Sequence, residues 1–399
     1  MAFDFTTSMD RRGLSSVAAD IIPFDNAAPE AGFEPIPMWI ADMSFPVADC
    51  ITEAIRKRLE RPSFGYFSLP EEYFAAIIDW QSRRNGVEGL AREHIGYENG
   101  VLGGVSSAVR AFTAPGEKIL IHSPTYVGFT HVMEDTGRTV IHSPLVRDEQ
   151  GVWRMDYEDM ERKLREHRIH FAIFCSPHNP CGRVWERWEI ERAMEIYAKY
   201  DCTVISDEIW SDLILPGHKH IPTQSISADA RERTIAFYAP SKTFSLAGLI
   251  GSYHIIYNAA LRDRVERQSA ATHYNDCNVL SLQALLGAYT PEGEAWLAEL
   301  LGVIDENCRY ATEFIGESFP GVRVMRPEGT YMLFLDCGDW CRAHGITIRE
   351  LQERGVRCGV IWQDGESFFL PDSIRMNLSL PKAKLEDALA RLKKYVFLP

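Results

Sequence analysis

Three polar residues in the middle of the chain each follow a short apolar run. Asn179 comes after HFAIFCSP, Asp207 after CTVIS, and Lys242 after RTIAFYAPS. Such runs predict buried strands, and the carboxyl ends of neighbouring parallel strands meet at one edge of a sheet. An amide, a carboxylate and an amine gathered there could perform covalent and acid–base chemistry on a small molecule.

These residue types match the requirements of pyridoxal 5′-phosphate (PLP) chemistry. The cofactor needs a lysine amine for an imine, a carboxylate against its pyridine nitrogen and a donor to its phenolic oxygen. Lys242 stands among small residues past a predicted strand, so burial should lower its pKa and favour the imine. Asp207 and Asn179 are candidates for the other two contacts. We therefore predict a PLP site in which Lys242 is the catalytic residue.

A glycine-containing turn could hold the phosphate of this cofactor. NGVLGG, residues 99–104, opens a predicted helix, and the free amides at a helix N-terminus bind anions. The predicted phosphate contacts are the amides of Leu102, Gly103 and Gly104, to which Ser241 adds a hydroxyl group. Glycine turns before helices are common, so this motif is weak when it stands alone.

Two further residues could complete the site. Tyr126 in HSPTYVGF follows another apolar run and could cover the ring as a flat side chain. Arg375 in IRMNLSLP could bind a substrate carboxylate, because a guanidinium group matches a carboxylate with two hydrogen bonds. Each candidate also has an ordinary explanation, such as a solvated lysine, an N-capping aspartate or a structural ion pair. The order of the candidates and their shared strand ends favour the functional interpretation.

The elements that would position these residues are predicted to form an α/β fold. Apolar runs alternate with helical segments such as RWEIERAMEIYAKYD, which predicts a mostly parallel sheet sandwiched by helices in a large domain, 46–285. Residues 286–399 start with a long amphipathic segment and predict a smaller α+β C-terminal domain. Residues 1–45 are irregular and are expected to form an arm that joins the small domain.

Composition and charge exclude several other classes of protein. The net charge of −14 disfavours nucleic-acid binding, since an acidic surface repels phosphate backbones. Nine cysteines without a C-x-x-C pair indicate reduced thiols and no metal site. His218 and His220 could bind a metal ion, but a polar loop is expected there. The sequence lacks a secretory signal and an apolar membrane span, so a cytoplasmic enzyme is expected.

The longer motifs resemble those of a known family. SPHNPCGRVW, DEIWSDLIL, SKTFSLAGL and IRMNLSLP are similar, in order, to four landmarks of the aspartate aminotransferase-like (fold type I) PLP enzymes. RRGLSS, PMWIADMSF, FGYF and PEGTYMLFLD resemble a narrower group, the MalY/PatB-type C–S lyases or cystathionine β-lyases. The resemblance implies that Asp207 contacts the ring nitrogen and that Asn179 binds the phenolic oxygen beside the substrate. It also implies that Arg375 binds the substrate carboxylate.

The same resemblance implies a homodimer whose active sites are shared between subunits. Tyr66 of FGYF would reach the phosphate of the neighbouring subunit's cofactor. Tyr126 would stack on the pyridine ring. Trp39 and Ala41, in PMWIADM, would border the substrate.

Three residues and one segment depart from the pattern of the group. Trp210 stands where many members have tyrosine or histidine, and an indole cannot accept a proton. Ala239 stands where many have a hydroxyl group, which removes one phosphate contact. Ser44 replaces an aspartate, and VIWQDG, at 360–365, differs from the usual loop before the arginine.

The expected activity is a PLP-dependent β-elimination. Cystathionine or another S-substituted L-cysteine would be cleaved to a thiol, pyruvate and ammonia, with Lys242 taking the α-proton. An aminotransferase of an L-amino acid is the alternative, since the same lysine could return the proton to the C4′ carbon of the cofactor. A PLP-fold regulatory protein without catalysis is a third possibility. The side chain recognised beyond the β-carbon is not encoded in any motif.

Overall fold

The computed structural model of the protein describes residues 3–24 and 27–398. Its strands are β1 (Ile36–Pro37), β2 (Ile95–Glu98), β3 (Lys118–Ser123), β4 (Thr139–Pro144), β5 (Val146–Arg147), β6 (Trp153–Arg154), β7 (Phe171–Cys175), β8 (Thr203–Asp207), β9 (Thr234–Tyr238), β10 (Ser252–Ile255), β11 (Arg323–Val324), β12 (Met332–Asp336), β13 (Val360–Ile361), β14 (Gln363–Asp364) and β15 (Ser373–Asn377).

Helices lie between most of these strands. They are α1 (Val17–Asp20), α2 (Asp49–Leu59), α3 (Glu71–Asn85), α4 (Val101–Phe112), α5 (Val127–Asp135), α6 (Tyr157–His167), α7 (Arg187–Lys199), α8 (Ala228–Arg233), α9 (Pro240–Thr243), α10 (Ala259–Ala270), α11 (Val279–Ala288), α12 (Pro291–Ser318), α13 (Gly338–His344), α14 (Ile348–Arg357) and α15 (Lys382–Tyr395). No helix among the described residues is long and apolar enough to cross a lipid bilayer.

The main sheet has seven strands in the order β2-β10-β9-β8-β7-β3-β4. Strand β10 is antiparallel to both of its neighbours, and the other pairs are parallel. Every residue of β7 and β9 is buried, as expected for strands that helices cover on both faces. In the register of the sheet, Asp207 lies opposite Cys175 on one side and Phe237 on the other. Strand β8 therefore ends close to the ends of both neighbouring strands.

A second, antiparallel sheet in the order β11-β12-β15-β14 lies towards the C-terminus. The N-terminal segment joins this part of the molecule, because Ile36 of β1 pairs in parallel with Val360 of β13. The amide of Asn377, at the end of β15, donates to the carbonyl oxygen of Met38. The predicted α/β fold with a smaller C-terminal sheet domain is therefore confirmed.

Several local predictions are also confirmed. Helix α3 ends before Gly86, whose φ of 64° is the left-handed conformation that a helix stop requires. The amphipathic segment after residue 285 forms one helix of 28 residues, α12. Helix α4 starts at Val101 after Gly100, whose φ of 78° also favours glycine.

Helix α4 packs on strand β9 through Gly104. A Cβ atom added there would lie 2.4 Å from Cε1 of Phe237, far inside van der Waals contact. The helix and the sheet can approach this closely only because the position lacks a side chain. At Gly103, one residue earlier, an added Cβ atom would lie 3.9 Å from its nearest neighbour, Cβ of Asn99.

We predict that Gly104→Ala is less stable than Gly103→Ala by about 1–3 kcal/mol, because the added methyl group overpacks the helix–sheet contact. The matched variant Gly103→Ala adds the same methyl group to the same helix and meets open space. The free energies of unfolding from urea denaturation, followed by tryptophan fluorescence, give the comparison. Equal stability of the two variants would contradict the packing role of Gly104.

Candidate active site

A cavity of about 290 Å³ lies at the carboxyl edge of the main sheet. Eight residues predicted from the sequence line it: Ala41, Leu102, Tyr126, Asn179, Asp207, Ser241, Lys242 and Arg375. The structure therefore brings together residues that are more than 300 positions apart in the chain.

Lys242 lies in α9, directly after strand β9, and points to the N-terminal segment. Its Nζ donates a hydrogen bond of 3.0 Å to the carbonyl oxygen of Ala41 and lies 5.8 Å from the centre of the Trp210 ring. Burial lowers the pKa of Lys242 to about 8, and the positive charge of Arg375 contributes to this shift. The amine is thus available in its neutral, nucleophilic form near physiological pH.

The helix turn that carries Lys242 is anchored by a buried carboxylate. Oδ2 of Asp212 accepts a hydrogen bond of 2.9 Å from the hydroxyl group of Thr243, the residue after the lysine. Oδ1 of Asp212 accepts from the indole Nε1 of Trp80 at 3.0 Å. Both oxygens of the carboxylate are therefore used to fix α9 against the helix that contains Trp80.

Asp207 ends β8 and is 3% exposed. Its Oδ1 accepts the amide of Ile209 at 3.1 Å. Burial raises the pKa of Asp207 to about 7, and the neighbouring Glu208 adds to the shift. A cationic ring nitrogen placed against Asp207 would supply the missing opposite charge and favour the ionised carboxylate.

Glu208, the next residue, belongs to a separate buried network. Its Oε2 lies 2.8 Å from Nε2 of His220 and accepts the hydroxyl group of Tyr238 at 2.6 Å. The segment around His218 and His220 is a loop, as expected, and His220 is its buried end and a partner of a carboxylate. Among the described residues no group of three or more side chains is placed to hold a metal ion.

Arg375 is buried on β15 and is surrounded by uncharged groups. Its Nη1 donates to Oδ1 of Asn179 at 3.3 Å, and its Nη2 donates to the carbonyl oxygen of Trp39 at 3.0 Å and to Oε1 of Gln363 at 2.7 Å. The guanidinium carbon lies 4.4 Å from the centre of the Phe368 ring. Its Nε is buried without a hydrogen-bond partner. A buried guanidinium group with a free donor is chemically suited to a carboxylate.

The N-terminus of α4 borders the cavity without a side-chain cap. A helix of this kind leaves its first amides free, here those of Val101, Leu102 and Gly103. The amide of Gly104 instead donates to the carbonyl oxygen of Gly100 at 3.1 Å. The prediction that Gly104 offers a free amide to the phosphate is therefore wrong, because α4 starts at Val101 and the amide of Gly104 already takes part in a helical hydrogen bond.

Tyr126 precedes α5, and a glycine makes room for its ring. A Cβ atom on Gly128 would lie 2.5 Å from Cε1 of Tyr126 and 2.8 Å from Cδ1 of Leu102. The Tyr126 ring also packs edge-on against Phe129 at 5.5 Å. Gly128 thus lets the ring approach the cavity beside the start of α4, a contribution that the sequence analysis missed.

Trp39 and Tyr66 take positions that the sequence alone did not define. The carbonyl oxygen of Trp39 binds Arg375, whereas its indole Nε1 donates to the carbonyl oxygen of Ala18 at 3.4 Å. Trp39 therefore reaches the site through its backbone. Tyr66 is fully exposed in the segment after α2, and its contact with a second subunit stays a prediction.

The departures from the group's pattern have structural roles. Trp210 is buried, lines the cavity and packs edge-on against Tyr331 at 4.8 Å. Ala239 precedes α9 as its N-terminal boundary. The amide of Ser44 donates to the carbonyl oxygen of Ser379, so this residue ties the arm to the end of β15. The VIWQDG segment supplies Gln363, a partner of Arg375 that the sequence analysis missed.

The residues present fit PLP. A buried amine, a buried carboxylate and uncharged donors face one cavity, and free helix amides border it. Gly128 keeps the space beside the ring of Tyr126 open. The orphaned Nε of Arg375 requires an acceptor that the described residues do not provide.

Comparison with known proteins gives a consistent result. Residues 37–392 match the family described as aminotransferase class I and II. The chain is 35% identical to cystathionine β-lyase PatB of Bacillus subtilis, over 90% of this chain and 92% of that protein. It is 30% identical to Protein MalY of Escherichia coli, over 98% of both chains.

A solved structure is also similar over nearly the whole length. The crystal structure of cystalysin from Treponema denticola, which contains a pyridoxal 5′-phosphate cofactor, matches with a TM-score of 0.91 at 32% identity. The match covers 99% of this chain and 98% of that chain.

The low pKa of Lys242 predicts how PLP attaches to the cofactor-free protein. Only the neutral amine attacks an aldehyde, so the attachment rate should rise with pH through a midpoint near 8 and level off above it. An exposed lysine, with a pKa of about 10.4, would give a midpoint of the attachment rate more than two pH units higher. Stopped-flow absorbance between about pH 6 and about pH 12, a range that contains both values, measures this rate.

Arg375→Gln is the matched variant, because it removes the positive charge that helps to lower the pKa of Lys242. Its midpoint should lie at higher pH than that of the parent protein. A midpoint that stays in place in the variant contradicts the contribution of the Arg375 charge. A parent midpoint near that of a free lysine contradicts the description of Lys242 as a desolvated amine.

Proposed function

The chain belongs to the aminotransferase class I and II family, and from this premise we propose that it is a PLP-dependent carbon–sulfur β-lyase. Its substrate would be cystathionine or another S-substituted L-cysteine, and its products a thiol, pyruvate and ammonia. The observation that carries the proposal is the convergence of Lys242, Asp207, Asn179 and Arg375 on one cavity. The relative named cystathionine β-lyase PatB supports the choice of reaction.

Binding and orientation of the substrate are the task of Arg375 and its neighbours. The guanidinium group, which lies over the ring of Phe368, receives the substrate carboxylate at its unpartnered Nε edge. Asn179 accepts a hydrogen bond from the same guanidinium group and fixes its direction. These contacts direct the amino group of the substrate towards the amine of Lys242. They also bring the α-proton of the substrate within reach of that amine.

Proton transfer is the task of Lys242. PLP, when bound, accepts the electron pair released at the α-carbon of the substrate into its protonated pyridine ring. Asp207 keeps a proton on the ring nitrogen by its negative charge. Lys242, with a pKa lowered to about 8, takes the α-proton as a general base at near-neutral pH.

The overall reaction balances without a further redox partner. The bond between the β-carbon and sulfur breaks with both electrons on sulfur, and the thiolate takes up a proton. Water then replaces the amino group on the three-carbon fragment, which gives pyruvate and ammonia. The free amides of α4 and the hydroxyl group of Ser241 hold the cofactor phosphate during these steps.

We further propose that the chain acts as a homodimer in the cytoplasm. The aromatic side chains of Phe64, Tyr66 and Phe67 are exposed together in the segment between α2 and α3, and exposed aromatic clusters are typical of subunit contacts. Tyr66 would reach the phosphate in the partner's site. The boundaries of the arm (1–45), the large domain (46–285) and the small domain (286–399) belong to the same proposal.

An aminotransferase is the second candidate function, favoured by the description of the matched family. The same lysine would then return the α-proton to the C4′ carbon of the cofactor. The two reactions differ in whether an S-substituted cysteine is consumed catalytically without a keto acid.

We predict that the PLP-loaded protein releases pyruvate and thiol from S-methyl-L-cysteine or L-cystathionine over many turnovers, without any keto acid. The coupled lactate dehydrogenase assay measures the pyruvate, and a thiol reagent measures the thiol. Lys242→Ala should lower the rate by roughly 10³-fold or more, because the base and the point of attachment are both lost. Formation of only one equivalent of the amino form of the cofactor would favour the aminotransferase.

A further inference from the structure

Among the described residues, Gln363 is the one hydrogen-bond partner of the Arg375 side chain that comes from a strand paired with β15. The two residues lie directly opposite each other in the antiparallel pair β14–β15. Oε1 of Gln363 accepts a hydrogen bond from Nη2 of Arg375 at 2.7 Å, the shortest of its three contacts. Directly opposed residues on one face of a sheet are the pairs that fix each other's side chains.

The residues on both sides of Gln363 are held by one residue of α14. The indole Nε1 of Trp362 donates to the carbonyl oxygen of Gln352 at 3.0 Å, and Nε2 of Gln352 donates to Oδ2 of Asp364 at 3.1 Å. Gly355 on the same helix leaves room for the indole, since a Cβ atom there would lie 2.4 Å from its Nε1. Successive residues of a strand point to opposite faces, so Trp362 and Asp364 turn towards α14 and Gln363 turns towards Arg375.

The charge of Arg375 is left uncompensated by this arrangement. Its partners among the described residues are three uncharged oxygens and the face of Phe368. Asp364, the residue directly after Gln363, accepts a hydrogen bond from Gln352 instead. A glutamate at 363 would have nearly the same shape as glutamine and would pair with Arg375 permanently.

We propose that Gln363 is a positioning residue that orients the Arg375 guanidinium group while leaving its charge for the substrate carboxylate. In this way the VIWQDG segment selects ligands that carry an α-carboxylate. The inference rests on the proposed function only in its premise that the ligand is an α-amino acid. It does not depend on whether the bound amino acid is then cleaved.

The test compares Gln363→Glu and Gln363→Met in the PLP-loaded protein. The ligand is L-alanine, which has no leaving group on its β-carbon, and its binding is measured by the change in cofactor absorption. Gln363→Glu should weaken binding by roughly 10- to 100-fold, because a charge-assisted bond now competes with the carboxylate. Gln363→Met should weaken it by only about 2- to 10-fold, because the guanidinium group loses one orienting hydrogen bond but gains no competing charge.

Two controls separate this role from a structural one. Glu366→Gln changes one charge on the exposed surface two residues after β14 and should leave L-alanine binding unchanged. Propylamine, which has the amine but no carboxylate, should bind the parent and Gln363→Glu equally. The cofactor spectrum and melting temperature of each variant without ligand check that the site is intact.

The outcomes also separate the inference from the proposed function. L-Alanine binding that is unchanged in Gln363→Glu, or a loss that is equal for propylamine, overturns the role of Gln363. A parent protein that binds L-alanine but releases no pyruvate from S-substituted cysteines overturns the lyase proposal alone. A parent protein whose cofactor responds to no amino acid overturns both.

Discussion

Desolvation of three ionisable groups around one cavity is the constraint on which the rest of the structure depends. Burial moves the pKa of Lys242 down to about 8, that of Asp207 up to about 7 and that of Arg375 down to about 10. In each case the charged form is destabilised because the protein replaces water with few compensating charges. A cofactor with a cationic ring nitrogen would supply the charge opposite Asp207, and a substrate carboxylate would supply the charge opposite Arg375. The cavity is therefore arranged for charges that arrive with cofactor and substrate.

A second layer of buried polar groups holds the three ionisable residues in place. Asp212 fixes the turn that carries Lys242 through Thr243, and Gln352 fixes the strand next to Arg375. Glu208, beside Asp207, is satisfied by its own network of hydrogen bonds. Buried polar groups with complete hydrogen bonds rigidify the backbone around them, whereas incomplete ones cost free energy. Among the described residues that line the cavity, Arg375 is the one with a buried side-chain atom, Nε, that has no hydrogen-bond partner.

The sequence predicts those parts of the site that depend on one strand end at a time. Asp207, Asn179 and Lys242 were identified because each follows an apolar run, and parallel strands bring such ends together. Gly104 was misassigned because the count of free amides depends on the first residue of the helix, a boundary that sequence patterns locate poorly. Gln363 was missed because its role depends on the register of β14 against β15. Such pairings across a sheet leave no signal in the local sequence.

The N-terminal segment connects the two sheets at the cavity. The carbonyl oxygen of Trp39 binds Arg375 of the small sheet, and that of Ala41 binds Lys242 at the edge of the main sheet. Two residues of chain span at most about 7 Å, so this segment limits the distance between amine and guanidinium group. Asn377 of β15 donates to the carbonyl oxygens of Ile40 and Asp42 and so holds the segment from the side of the small sheet. The distance between the Lys242 amine and the Arg375 guanidinium group is thus limited by a few residues of irregular backbone that are hydrogen-bonded to residues at the ends of both sheets.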